Sequence, residues 1–543
     1  MLAPYLLLLG TAYSVFAQTV DDPYITFRYA ANFLAGHGPV FNVGERVEGY
    51  TSPLHLLLSL VLMALAPSVD ILFKAKCASL LFGFVMLAQT GMLARRSGLG
   101  AGESALAQAL VALNINFALA AVNALETTLY GSLLLASLLV FLKECRQGRG
   151  VLSGFVLFCA LLARPEASLM AAALCVVRLY WMRRRRLPLS FVLPWLPAFL
   201  VPAGLCELAR WGYYGQLLPN TYFAKSQPLH QSISGGAAYL LKATAPGQSA
   251  SHLLGPLFSG FSQFSRHNVF QFGSVRQKDM RSDIFYLAMP ALFWTLALAG
   301  LWRARRRSAG IVALATVAAA FAFVLRSGGD WMYGWRFMAP VLPVIAVAQC
   351  HGIRALARLA QRLPPARAQT FKANALGLCG GAVAALWLVG CCKTPHFPWR
   401  AAHFSTQGAR LLQVSEGYGP LWVKGGDYIR RLPRGSTLAY SEMGYAGYAN
   451  LDKTMVDVRG LTDREISHLP AKYKYITGVS DSEWYQPGDP LGHILQRRKP
   501  RVILSFDPVP PNAVLDGYRR GPVLAMPTND KQGLSFLYTY RRL

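Results

Sequence analysis

Leu54-His55-Leu56-Leu57-Leu58-Ser59-Leu60-Val61-Leu62-Met63-Ala64-Leu65-Ala66 decides how this chain is threaded. The block is almost wholly apolar but only about 13 residues long, whereas a helical bilayer crossing takes about 20. Segments of this size lie at the interface or re-enter the membrane. If the block crossed, every later segment would be inverted, and Arg183–Arg186 and Arg303–Arg307 would face outward. Basic residues concentrate in loops kept in the cytoplasm. The block is therefore expected to lie along the outer membrane surface.

Longer apolar runs surround it, among them Val151–Leu162, Ile284–Leu301 and Ile311–Leu325. The 543 residues are 53% hydrophobic and 15% charged, against about 25% charged in soluble domains. The chain reads as a polytopic α-helical membrane protein. Its net charge of +28 would suit nucleic acid, but the placement excludes that partner. The basic residues sit in short loops: Arg95-Arg96, Lys143–Arg149, Arg183–Arg186, Arg303–Arg307 and Arg354–Lys372. The charge thus reports orientation.

Hydropathy places helices at about 2–19, 74–94, 104–122, 127–143, 150–164, 167–182, 188–207, 284–302, 309–325, 337–352 and 373–392. Eleven spans put the N-terminus in the cytoplasm and the C-terminus outside, and place every basic cluster inward. The first helix is read as retained, because Leu2–Ala17 lacks the positive flank of a signal peptide. Residues 1–392 form a membrane domain, with outward loops at about 20–73 and 208–283 and a short one at Arg326–Arg336. Residues 393–543 are expected to be an extracytoplasmic α/β domain, with strand-like runs at Thr437–Tyr440, Arg501–Phe506 and Leu534–Tyr540. That stretch holds no cysteine, so it must build an ordinary core. The nine cysteines lie mostly in apolar blocks and read as small buried hydrophobes.

The densest polar signal opens the first loop: Asp21-Asp22-Pro23-Tyr24-Ile25-Thr26-Phe27-Arg28-Tyr29. Asp22, directly before Pro23, suits a helix cap. One cap does not explain two carboxylates side by side at a membrane boundary. Such a pair suits a general base or a divalent cation. Of the two, Asp21 is the first choice as base, since Asp22 is better placed to cap. The loop continues Gly36-His37-Gly38-Pro39-Val40-Phe41-Asn42 and Gly44-Glu45-Arg46-Val47-Glu48-Gly49-Tyr50-Thr51-Ser52-Pro53, rich in turn formers and polar groups. Glu126 and Glu166 fall at the outer ends of helices, where acids often mark a site. Glu166 also suits an ion pair with Arg164. Asp457 and Asp463 read as turn or cap residues.

Asp-Asp-x-x-Ile-x-x-Arg-Tyr, Gly-x-Gly-x-Val-Phe-Asn and Glu-Gly-Tyr-Thr-Ser together resemble the first loop of the GT-C glycosyltransferases. The likeness is greatest to the terminal β-(1→2)-arabinofuranosyltransferases of the mycobacterial cell wall and their bacterial relatives. Tyr213–Lys225, Gly328–Phe337 and Asp457–Asp463 resemble later motifs of that family. Gln216 stands where relatives often carry an acid. The resemblance implies an inverting transfer of one sugar from a polyprenyl-phosphate donor to a glycan, glycolipid or protein acceptor. It implies that a carboxylate, Asp21 or Asp22, accepts the acceptor's proton. Arg28, Lys225 and Arg336 are available to hold the leaving phosphate. Glu48, Tyr50, His55, Asn220, Asp330 and Glu126 fall to substrate binding. No cofactor is implied beyond a divalent cation on Asp21 and Asp22, if one is used. Three other readings stay open: a transporter or flippase of a lipid-linked sugar, a transferase of whole oligosaccharides to protein, and a carbohydrate-binding or docking C-terminal module with a subordinate membrane part.

Overall fold

The computed structural model describes residues 2–16, 18–226, 228–244, 280–305, 307–330, 335–360, 419–470, 490–505, 517–527 and 534–543. The block at 54–66 is a helix, Pro53–Ala64. Ser52 starts it by accepting the His55 amide at 3.1 Å, and Pro53 occupies the first turn, where an amide would go unused. It ends where Ala66 turns left-handed, at φ 48°. It packs on three helices, Pro23–Leu34, Ile71–Arg96 and Leu152–Ala163. The expected first loop therefore carries two helices of its own.

Four helices among the described residues are long and apolar enough to cross a bilayer: Ile71–Arg96, Thr127–Gln147, Ser308–Ser327 and Ala339–Arg358. Shorter apolar helices, Ala3–Val15, Pro53–Ala64, Leu152–Ala163 and Leu292–Ala304, join them. The chain is a helical membrane protein, and the count of eleven spans remains an inference from the sequence. Leu8, Met86, Phe117, Leu134, Phe141, Leu157, Trp195, Val324 and Ile353 share its main core.

Three expected boundaries moved, the first two for a local reason. The helix expected at 104–122 is two helices, Ala101–Ala112 and Ile115–Val122, bent by 66°. Asn114 breaks it, because its side chain accepts from the Asn116 amide at 3.0 Å and caps a new start. The helix expected at 188–207 is Trp195–Tyr214, preceded by a 3-10 turn at Leu189–Phe191. Pro188 and Pro194 each remove an amide there. The helix expected at 337–352 is Leu342–Ala360. The stretch 373–392 lies outside the described residues. The expected second loop holds helices Asn220–Lys225 and Leu229–Thr244, and 245–279 of it also lie outside the described residues.

The basic loops meet at one end of the bundle. Arg146 donates to the Arg96 carbonyl, Arg307 to that of Ser97 and Arg354 to that of Gly98. Arg185 reaches the Cys145 carbonyl and the Ser308 hydroxyl. Loops that are far apart in sequence thus form one basic face.

The C-terminal part holds a mixed five-stranded sheet in the order β2-β1-β3-β5-β4. Its strands are β1 Thr437–Tyr440, β2 Thr454–Asp457, β3 Val502–Ser505, β4 Tyr518–Pro527 and β5 Leu534–Arg542. β1 runs parallel to β2 and β3, with Ala439 opposite Val456 and Ile503, and β5 is antiparallel to β3 and β4. One face packs on Ile494 and Leu495, and the other on the first loop. Ile25, Tyr29, Phe41, Tyr50 and Leu56 share a core with Leu438, Tyr440, Met443, Met455 and Leu504. Burying a large apolar side chain is worth about 1.5–3 kcal/mol, so this shared core is a firm bond between the first loop and the sheet.

Candidate active site

Lys76 sets the height at which the paired aspartates emerge. It is fully buried and donates to the Phe16 and Gln18 carbonyls, each at 2.6 Å. This fixes the segment between the first helix and Asp21.

The capping contacts of the two aspartates are the reverse of those expected. Asp22 does not cap Pro23–Leu34 through its side chain. Its own backbone is helical, at φ −54° and ψ −39°, and the first-turn amides of Tyr24 and Ile25 are met by the Asp21 and Asp22 carbonyls instead. Asp21 is the capping carboxylate, but of another helix. Its oxygens accept the Gly444 and Tyr445 amides, both at 2.7 Å, at the start of Gly444–Tyr448. The approach is close: a Cβ on Gly444 would lie 2.0 Å from the Asp21 carbonyl oxygen. Burial and the neighbouring Glu442 push the Asp21 carboxyl up to about 8, against the pull of the two amides.

Asp22 is left with its carboxylate toward charged groups. Its side chain is 27% exposed, and Arg336 Nη1 stands 3.9 Å from its Oδ2. Arg336 also grips Asp330, through Nε to Oδ2 and through Nη2 to Oδ1 at 3.3 Å. Gly328 and Gly329 make this grip possible, with φ 83° and 86° at the end of Ser308–Ser327. A Cβ on Gly329 would sit 2.7 Å from Tyr239, whose hydroxyl accepts the Phe337 amide. Lys225, the last residue of Asn220–Lys225, lies in the field of Asp22, Asp330 and Arg336. It is exposed and makes no hydrogen bond or ion pair among the described residues. Behind them Arg164 joins Glu126, at 2.7 Å, to Glu166. Burial raises the Asp22 carboxyl above its ordinary range, opposed by Arg336 and Lys225 and reinforced by Asp330 and Glu126.

Of the expected site residues, Asp22, Lys225, Arg336, Asp330 and Glu126 therefore come together. His55 borders them. It is buried, in the field of Glu126, with its ring 6.5 Å from that of Phe27. Arg28 lies apart from this group. Its guanidinium is buried and donates to the Phe41, Gly447, Asn450 and Lys453 carbonyls and to Asn42. Asn220, Tyr50 and Glu48 are likewise engaged by other parts of the chain. Asn220 donates to the Gly460, Leu461 and Asp463 carbonyls and accepts from Ser467. Tyr50 meets the Tyr214 hydroxyl at 3.0 Å. Glu48 pairs with Arg210 at 2.7 Å, and burial pushes it up to about 7. All four brace the first loop against the second loop and the sheet. Asp463 caps Arg464–Ser467 and Asp457 folds its own turn, as read from the sequence.

Among the described residues no group of three or more histidine, cysteine or acidic side chains is arranged to hold a metal. The Asp21 oxygens face the Gly444 and Tyr445 amides, whereas Asp22 faces Arg336. One functional candidate escaped the sequence reading. Glu442, paired with Arg459 at 2.8 Å, stands in the field of Asp22. The one sequence signal was its neighbour, Arg459, inside Asp457–Asp463.

A family model described as a domain of unknown function, DUF8728, matches residues 412–534. The terminal β-(1→2)-arabinofuranosyltransferase of Mycobacterium tuberculosis is 32% identical over 222 residues, 38% of this chain and 34% of that protein. The match thus spans about a third of that relative's length. Archaeal oligosaccharyltransferase AglB from Archaeoglobus fulgidus aligns at TM-score 0.49 and 12% identity, over 92% of this chain and 69% of its own. ArnT from Cupriavidus metallidurans, solved bound to undecaprenyl phosphate, aligns at 0.48 and 14%, over 93% and 92%.

Proposed function

We propose that this chain is an inverting glycosyltransferase of the GT-C type, moving a single sugar from a polyprenyl-phosphate donor to an envelope glycan, glycolipid or protein. One observation carries the reading. Asp22 presents an uncapped carboxylate beside Arg336, with the exposed, unpaired Lys225 in the same field. A base and two cations at one spot are what displacement of a lipid phosphate needs. Asp22 takes the proton of the acceptor hydroxyl, whose oxygen attacks the anomeric carbon. The phosphate leaves with the bonding pair, and Arg336 and Lys225 meet its charge. The likeness to the arabinofuranosyltransferase, over its shared third, supports this chemistry and suggests arabinofuranose as the sugar.

The topology belongs to the same reading: eleven spans, residues 1–392 in the inner membrane and 393–543 outside. The basic face at one end of the bundle supports it, because the site and the sheet take no part in that face. The family model's match at 412–534 falls inside the proposed outer domain.

Mass spectrometry of surface glycans from a strain lacking the protein tests the function. The expected change is loss of one terminal sugar residue, restored by the parent gene and not by Asp22→Asn. Loss of a whole protein-linked oligosaccharide would support the en bloc transferase instead. Lipid-linked sugar trapped on the inner leaflet would support a flippase.

A further inference from the structure

Asp22 has two sets of charged neighbours, supplied by different parts of the chain. Arg336 stands among Asp330, Arg164, Asp22 and Glu126, all from the membrane part. Glu442 pairs with Arg459 at 2.8 Å and lies in the field of Asp22. Among these groups, Asp22 alone belongs to both sets. If the lipid phosphate occupies the Arg336 and Lys225 side, the Glu442–Arg459 pair borders the base from the other source, the C-terminal sheet.

The pair is held there by construction. Glu442 lies two residues beyond the end of β1 and two before Gly444, the residue on which Asp21 is seated. Two residues span at most about 7 Å, so the Asp21 contact holds Glu442 close to the adjacent Asp22. Arg459 is delivered by the turn Asp457–Asp463. The buried Asp457 carboxylate accepts the Arg459 amide at 2.9 Å, and the Thr462 amide and hydroxyl at 2.8 and 3.1 Å. Gly460 closes the turn at φ 77°, where a Cβ would sit 2.7 Å from the Ser467 nitrogen. The two side chains meet at 2.8 Å and keep 12% and 21% of their surface open. They are thus both fixed and reachable.

A carboxylate beside a guanidinium matches neighbouring hydroxyls. The carboxylate accepts from one and the guanidinium donates to the oxygen of the next. We propose that Glu442 and Arg459 form the subsite for the acceptor sugar, binding hydroxyls next to the one that Asp22 deprotonates. This rests on the transferase reading and adds its acceptor side. The ligand class is a polyol, and the C-terminal sheet becomes part of the site.

The test uses the full-length protein in nanodiscs, its polyprenyl-phosphate sugar donor, and acceptor glycan isolated from the deletion strain. Glu442→Gln and Arg459→Lys should each raise the acceptor KM by about 10–100-fold, as expected for losing a hydrogen bond to a charged group. Their kcat should stay within about threefold, and binding of polyprenyl phosphate alone should match the parent. Glu442→Asp, which keeps the charge, should fall between parent and Glu442→Gln and guards against a folding failure. An unchanged KM in folded variants that still bind polyprenyl phosphate would reduce the pair to a brace for the turn and overturn the proposal. Collapse of kcat at the parent KM would make Glu442 a base rather than a binder. If the parent neither binds polyprenyl phosphate nor transfers sugar, the transferase reading fails first, and the subsite with it.

Discussion

Replacing Asp22 and Asp21 one at a time separates two carboxylates that are neighbours in sequence. Asp22→Asn removes a group with no side-chain cap and one ion-pair contact, at 3.9 Å and 27% exposed. At 3.9 Å this contact is beyond hydrogen-bond reach, and loose ion pairs are worth about 0–1 kcal/mol, so melting should barely move. A lost general base costs about 10²–10⁴ in rate, or about 3–5 kcal/mol of barrier at 1.36 kcal/mol per tenfold. Asp21→Asn is the mirror image. An amide nitrogen cannot accept, so one of the Gly444 and Tyr445 amides loses its 2.7 Å partner in a buried place. That costs about 1–3 kcal/mol of stability, with a smaller loss of rate. The assay is initial-rate sugar transfer by purified protein, alongside thermal unfolding of the same samples. The acid limb of kcat/KM adds a check. The base works deprotonated, so activity is present above its pKa in the folded protein and lost as pH falls through it. Burial raises the Asp22 carboxyl, so the midpoint should lie above the ordinary value of about 4. Parent-like transfer by Asp22→Asn would refute the reasoning. So would collapse of transfer in Asp21→Asn at unchanged melting.

Arg336→Lys should lower transfer about 10–100-fold, because its two-pronged hold on Asp330 needs a planar fork; Lys225→Ala should weaken polyprenyl-phosphate binding without changing melting, since Lys225 is exposed and unpaired. Arg28→Met should cost about 3 kcal/mol or more by stranding buried carbonyls that it now serves, with no selective loss of donor affinity; selective loss would return Arg28 to the phosphate site. For Asp21, the carboxyl pushed up to about 8 holds a proton in the folded chain that the unfolded chain releases near 4. Its contribution to stability is therefore full below about pH 4 and lost as pH rises through about 8, and the unfolding slope over that window should flatten in Asp21→Asn. A reporter fused after Leu543 should be active only in the exported compartment, and cytoplasmic activity would overturn the topology and the site together.

The membrane character, the gathering of the basic loops and the polar cluster that opens at Asp21-Asp22 were legible in the sequence alone. Each rests on local composition: run length against bilayer thickness, arginines between apolar runs, and two adjacent acids at a boundary. The cap at Asp463 was legible for the same reason, since a cap is written within a few residues. Asn114 held a readable break signal, which a long apolar window averaged away. Tertiary structure alone decided which aspartate is free. Asp21 is engaged by amides 423 and 424 residues away, and neither aspartate's sequence neighbours carry that information. Arg28 was decided in the same way, by carbonyls at Gly447, Asn450 and Lys453. An arginine in a loop between apolar runs looks the same in sequence whether it meets a phosphate or five buried acceptors. Glu442 became a candidate only because folding seats Gly444 on Asp21. A charged side chain takes its role from the groups that face it, and here most of those arrive from the other end of the chain.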